Sequence, residues 1–326
     1  MQLTDPQGRT INYLRLSVTD RCNMRCFYCM PPEGIVKKRH EALLSYEELQ
    51  LVAETAVELG IEKIRITGGE PLVRAGIIAF LGRLSAIPGL RHLALTTNGL
   101  RLAEMAADLY RSGVQRLNVS LDSLQPGTFS RITRGGDLPR VLSGLEAAER
   151  AGFPPPKINC VIMRGVNDAE ILDFAERTLS HGNSIRFIEY MPAVREEGWQ
   201  RYCISGEEIL QRITARYTLE QVDKGPFAGP SRDYRIPGAQ GSLGIITAVS
   251  GHFCSECNRI RVTSTGQAKG CLFSDARTDL IPWLRPPDRA GLAEVLRLIV
   301  STKPERHDIS PDGYTHKNFT MSQVGG

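Results

Sequence analysis

The sequence has no apolar run long enough to cross a bilayer, which takes about 20 residues. Residues 1–10 are polar and lack the apolar core of a secretory signal. Charge of one sign is not in excess: 40 basic against 36 acidic residues leaves +4, too little to argue for a nucleic-acid partner. A membrane protein is not expected, and a cytoplasmic one is. Aromatic residues are few, at 6%, but 41% hydrophobic and 23% charged residues still fit an ordinary globular chain rather than a disordered one. The most informative shortage is among the cysteines. Six of the eight fall into two tight groups, and each group stops at three. A reducing compartment disfavours disulfides, and close spacing in a 326-residue chain favours metal binding.

Alternating strands and helices fill the first two-thirds. Apolar, β-branched stretches at 11–18, 62–66, 90–96, 115–120, 157–162 and 184–189 read as buried strands. Between them Ser45 and Glu48 form a capping box ahead of an apolar face made by Leu49, Val52, Ala53, Ala56 and Val57, and Gly60 stops that helix. Further helices are expected over 101–111, 138–150 after an Asp137 cap, and 169–180 after an Asp168 cap. Helical crossovers return the chain in one direction, so six βα units give parallel strands, either curled into an incomplete barrel or laid out as an open sheet. After about Trp199 the pattern changes to a helix at 207–216 and short strand-like pieces at 233–236 and 243–248. The expected division is 1–200 and 201–326, with the polar stretch 301–326 at the end.

Cys22, Cys26 and Cys29 are spaced CxxxCxxC, with Tyr28 directly before the last. A [4Fe-4S] cluster normally takes four thiolates, so three leave one iron open. A zinc loop with a distant fourth ligand is the alternative. Cys254 and Cys257, then Cys271, form a second group of three, for which zinc completed by His252 is again an alternative. Arg15 is a charged residue inside an apolar strand and needs a partner. Arg259 and Arg261 alternate, so both point to one side of an extended segment.

The CxxxCxxC loop, with Gly68-Gly69-Glu70 after the second strand, resembles the radical S-adenosylmethionine (SAM) superfamily. The segment from Phe253 to Thr263, with Gly266, Cys271-Leu272-Phe273 and the terminal Gly325-Gly326, resembles its GTP 3′,8-cyclase family of molybdenum-cofactor biosynthesis. That resemblance implies an incomplete (βα)6 TIM-like barrel with a smaller C-terminal part, two [4Fe-4S] clusters and SAM. It implies conversion of GTP to 3′,8-cyclo-7,8-dihydroguanosine triphosphate through a 5′-deoxyadenosyl radical. Tyr28, Gly69, Ser120 and Met191 are implied in SAM binding. Arg15, Arg65, Thr96, Lys157, Arg259 and Arg261 are implied in GTP binding, the last two also in catalysis. It further implies a one-electron donor protein, a downstream cyclic pyranopterin synthase, no nucleic-acid partner, a homodimer as the assembly, and a double-glycine tail reaching the active site. Asn98 and Asp122 end their strands and are expected near the site, whereas Cys160 and Cys203 lack cluster spacing. Lys157 opens its strand, although parallel barrels gather ligands at the other end. Two rival readings are a radical SAM enzyme acting on peptide or RNA, and a zinc-stabilised binding protein.

Overall fold

The computed structural model describes residues 2–35, 39–191, 198–223, 229–251 and 253–307. His252, Lys37, Lys38 and the Gly325-Gly326 terminus lie outside the described residues.

Six strands run parallel in chain order: β1 (Tyr13–Ser17), β2 (Lys63–Thr67), β3 (His92–Thr97), β4 (Arg116–Ser120), β5 (Lys157–Ile162) and β6 (Ser184–Glu189). The helices between them are α1 (Tyr46–Glu58), α2 (Ile77–Ser85), α3 (Leu102–Arg111), α4 (Pro126–Thr133), α5 (Leu138–Arg150) and α6 (Ile171–Ser180). The Ser45–Glu48 capping box and the Asp137 cap are both formed. Asp168 is not the cap expected of it. A short 3-10 turn at Asp168–Glu170 precedes α6, and the Asp168 carboxylate instead accepts from the Gly165 N–H and pairs with Arg212. A local carboxylate–backbone bond within the turn has displaced the helix cap.

The later chain adds α7 (Gly206–Thr214), β7 (Glu220–Val222), β8 (Arg232–Arg235), β9 (Ser242–Ile246), β10 (Arg259–Val262), β11 (Gln267–Lys269), β12 (Thr278–Asp279), α8 (Ile281–Leu284) and α9 (Arg289–Ser301). Its strands continue the same twelve-stranded sheet at both edges: β9 lies parallel to β6, and β10 parallel to β1. The order β12-β11-β10-β1-β2-β3-β4-β5-β6-β9-β8-β7 does not close, so the barrel is incomplete.

Side chains alternate across each strand. One set, including Leu14, Leu16, Ile64, Ile66, Leu95, Val119, Ile158, Phe187 and Ile260, is buried in the core that also takes the apolar faces of the helices. The alternate set, including Tyr13, Arg15, Lys63, Arg65, Ser120, Lys157, Arg186, Arg259 and Arg261, lines one internal cavity. Strands separated widely in sequence can share a cavity only if the sheet curls around it.

Candidate active site

The first cysteine group follows the C-terminal end of β1. Its loop is pinned to the end of α4 by Arg25 N–H to Thr133 O (3.1 Å) and Phe27 N–H to Ile132 O (3.0 Å). Within it, the Cys29 and Met30 amides donate to Cys26 O at 2.9 and 3.1 Å, and the Met24 amide donates to Cys22 Sγ at 3.4 Å. The Gly68-Gly69-Glu70 turn after β2 packs against the approach to this loop. Gly69 N–H donates to Thr19 O and Glu70 N–H to Arg21 O, each at 2.8 Å. A Cβ on Gly69 would collide with the Arg21 carbonyl, so only glycine allows this approach. Buried Glu70 accepts from Asn98 N–H (2.6 Å), Thr97 Oγ1 (2.8 Å) and Leu72 N–H (3.0 Å). Burial nevertheless pushes its pKa up to about 7. Tyr28 Oη donates to Asp122 Oδ2 at 2.7 Å, while Asp122 Oδ1 accepts from Val161 N–H at 2.9 Å. Burial raises the Asp122 pKa to about 6.

The second group surrounds the other end of the strands. Cys257 lies two residues before β10, which runs parallel to β1; Cys271 lies two residues after β11, which runs antiparallel to β10. Thus Cys257 and Cys271 sit near the N-terminal end of β10, opposite the end from which the first loop departs. All six cysteines line the same cavity, as do Tyr28, Gly69, Ser120, Met191, Asn98 and Asp122. Cys160 is fully buried in the core, and Cys203 is half-buried with its thiol toward Tyr190 O.

Between the cysteine groups the wall is cationic. In register across β10, β1 and β2 lie Arg259, Tyr13 and Lys63, then Arg261, Arg15 and Arg65. Thr96, Lys157 and Arg186 also line this part of the cavity. Burial, then Arg261, depresses the Arg15 pKa; burial, then Arg259, lowers that of Arg261 to about 10. The Lys157 pKa falls to about 7 through burial and then Arg186, with Asp233 opposing the fall. Several buried polar atoms here have no hydrogen-bond partner among the described residues: Tyr13 Oη, Thr96 Oγ1, Nε of Arg65, Arg186 and Arg259, and Nη1 of Arg261. Buried donors concentrated among like charges suit a polyanionic ligand with many acceptor oxygens.

Tyr13, Lys63 and Arg186 join the site without having been singled out from the sequence. The signal that singled out Arg15, a charge at alternate positions of an apolar strand, is also present at Lys63 and Arg186. Lys157 sits at an N-terminal strand end without contradiction, because the cavity runs along the strands rather than over one mouth.

The donor set fits iron–sulfur clusters. Each group offers three free thiols, one for each of three irons of a four-iron cube. Burial raises the Cys22 pKa to about 11 and pushes that of Cys26 well up, so a metal held by these thiolates would release protons on loading. At Cys257 burial is outweighed by Arg259 and Lys303, which bring its pKa down to about 6.

Residues 16–178 match the Radical SAM superfamily, and residues 183–309 match Molybdenum Cofactor Synthesis C. The chain is 63% identical over 326 residues to the GTP 3′,8-cyclase of Geobacter sulfurreducens, covering 100% of each. It is 46% identical over 328 residues to that of Peptoclostridium acidaminophilum, covering 99% of this chain and 98% of the relative. Among solved structures, Streptococcus suis SuiB bound to S-adenosylmethionine shares the fold, with TM-score 0.59, 14% identity, and coverage of 88% of this chain and 69% of SuiB. The chain therefore belongs to the radical SAM superfamily and, within it, to the GTP 3′,8-cyclase family.

Proposed function

We propose that this chain converts GTP to 3′,8-cyclo-7,8-dihydroguanosine triphosphate, the first step of molybdenum-cofactor biosynthesis, using SAM and two [4Fe-4S] clusters. The observation that carries this reading is the single cavity with a cysteine triad at each end and a cationic wall between. Cys22, Cys26 and Cys29 hold the cluster that binds SAM; Cys254, Cys257 and Cys271 hold the second. Together the first cluster and SAM supply one-electron chemistry that removes a hydrogen atom from an unactivated carbon.

The chain's own residues bind, orient and exclude water. Gly69 lets the β2 turn close on the first loop, and Glu70 presents a carboxylate to an ammonium group. Tyr28, braced by Asp122, packs with Met191 against an adenine, and Ser120 offers a hydroxyl. Arg15, Arg65, Lys157, Arg259 and Arg261, joined by Lys63 and Arg186, bind the triphosphate, and Thr96 donates to the nucleotide. This fixes C3′ of the ribose beside C8 of the guanine, the two atoms that become bonded. Arg259 and Arg261 also stabilise charge as the final electron and proton arrive.

Residues 1–200 are taken as the partial barrel and 201–326 as the second unit. No helix among the described residues is long and apolar enough to cross a membrane. A cytoplasmic homodimer served by a one-electron donor protein, and passing its product to a cyclic pyranopterin synthase, completes the proposal. The test is anaerobic purification followed by reaction with GTP, SAM and a reductant. About eight irons per chain with matching sulfide are expected, together with 5′-deoxyadenosine, methionine and the cyclised nucleotide. Zinc without iron, or SAM cleavage without loss of GTP, would refute it.

A further inference from the structure

The second cysteine group is gripped from outside the cavity by a lysine to which the reading above gives no role. Lys303 lies two residues beyond the end of α9 and is only 4% exposed. Its ammonium donates to Arg259 O (3.1 Å) and Gly270 O (2.5 Å), and it lies 3.5 Å from Cys257 Sγ. Arg259 opens β10 just after Cys257, and Gly270 immediately precedes Cys271. The three donors of one ammonium therefore join the two segments that carry Cys257 and Cys271. A Cβ on Gly270 would press on Ile299 O at 3.2 Å and would meet Cα and Cβ of Lys303 at an ordinary 3.5 Å, so the α9 end packs closely on this segment.

Arg9 holds the same terminal segment from the other side. Its Nη1 donates to Cys254 O (2.7 Å) and Glu305 O (2.9 Å), its Nη2 to Pro304 O (2.8 Å), and its Nε pairs with buried Asp5. The segment 303–305 is thereby fastened to the segments carrying all three cysteines.

We propose that Lys303 is a positioning residue for the second [4Fe-4S] cluster: it locks the Cys257 and Cys271 segments together, and its charge at the Cys257 sulfur raises that cluster's reduction potential. This rests on the reading of the second triad as cluster ligands. Adding an electron makes a cluster more negative, so a cation and a hydrogen bond at a ligating sulfur favour the reduced form. Lys303 touches neither nucleotide nor SAM in this scheme, and acts through the thiolate.

The experiment is a redox titration of the anaerobic holoenzyme followed by electron paramagnetic resonance, with Cys22→Ala marking which couple belongs to the first cluster. Lys303→Met keeps the aliphatic stem and removes the charge. It is expected to shift only the second couple downward, by about tenfold in the reduction equilibrium, roughly 59 mV for one electron. Lys303→Arg is expected to recover most of the shift. Should Lys303→Met release the second cluster's iron alone while Lys303→Arg retains it, the locking role is upheld. An unchanged second couple at full iron content overturns the proposal, as does an equal shift of both couples or equal iron loss in both variants. Wild-type protein with only the first cluster's iron would overturn the underlying ligand assignment instead, and iron analysis reads that separately.

Discussion

Replacing Lys157 with Met should weaken GTP binding and, at the same time, stabilise the nucleotide-free protein. Lys157 opens β5 and lines the cavity near Arg186, Arg65 and Lys63, with Asp233 as the opposing acid. Burial is the largest influence and brings its pKa from 10.5 to about 7. The sign follows from proton counting. Below pH 7 the lysine is charged folded and unfolded, so the fold bears the whole penalty. Between pH 7 and about 10.5 the folded form sheds its proton first, and the penalty fades as pH rises. The full difference corresponds to a ceiling of ~5 kcal/mol; solvent reaching the outer side chain reduces this to ~2 kcal/mol. At about 2.1 cal/mol/K of unfolding entropy per residue, that is a rise in Tm of about 3 °C for Lys157→Met at pH 7. The gap from wild type should narrow by roughly half at pH 9. Losing one charge-assisted hydrogen bond to phosphate costs ~1.5–3 kcal/mol, or roughly 10- to 100-fold in GTP affinity. Calorimetric unfolding at pH 6, 7 and 9 and titration with GTP measure both effects. A variant with a lower Tm at pH 7, or a gap that widens with pH, would show that Asp233 and its neighbours already satisfy the lysine, and the argument would fail.

Glu70→Gln should weaken SAM binding at least about tenfold and flatten its pH dependence. Wild-type affinity should rise as pH passes about 7, where the buried carboxyl ionises, and matching profiles would exclude a role for its charge. Glu189→Gln should destabilise the fold by about 2–3 kcal/mol in urea titrations. The Glu189 carboxylate accepts from Gly206 N–H (2.6 Å), Val249 N–H and Ser250 N–H (both 2.8 Å), and a carboxamide turns one acceptor into a donor facing donors. A loss under half a kilocalorie, ~0.5 kcal/mol, would refute this. Tyr13→Phe removes the cavity hydroxyl and should reduce GTP affinity about 3- to 10-fold with SAM affinity unchanged; equal losses of both ligands would show that this hydroxyl does not serve GTP.

The local signals were legible because they depend on neighbours a few residues apart. The Ser45–Glu48 box, the Asp137 cap and the six apolar strands follow from side-chain chemistry and period, and the two cysteine spacings follow from loop-scale geometry. Asp168 shows the limit even of local reading, since a competing bond to Gly165 won. The meeting of the two halves was not legible. Arg259 pairs in register with Tyr13, 246 residues earlier, and no periodicity specifies which strand closes against which. Arg9 and Lys303 carry no motif at all, and their contacts with the Cys254 and Cys257 segments exist only once segments distant in sequence converge.

By itself the sequence determined the donor chemistry: two incomplete sets of thiols, alternating strands and helices, and arginines placed within strands. Tertiary structure alone decided that both sets open onto one cavity, that Lys63 and Arg186 join the cationic wall, and that Lys303 reaches the Cys257 sulfur. The physical reason is that donor type and spacing are properties of short segments. Enclosure, charge crowding and burial are properties of surfaces that exist only once distant strands have paired.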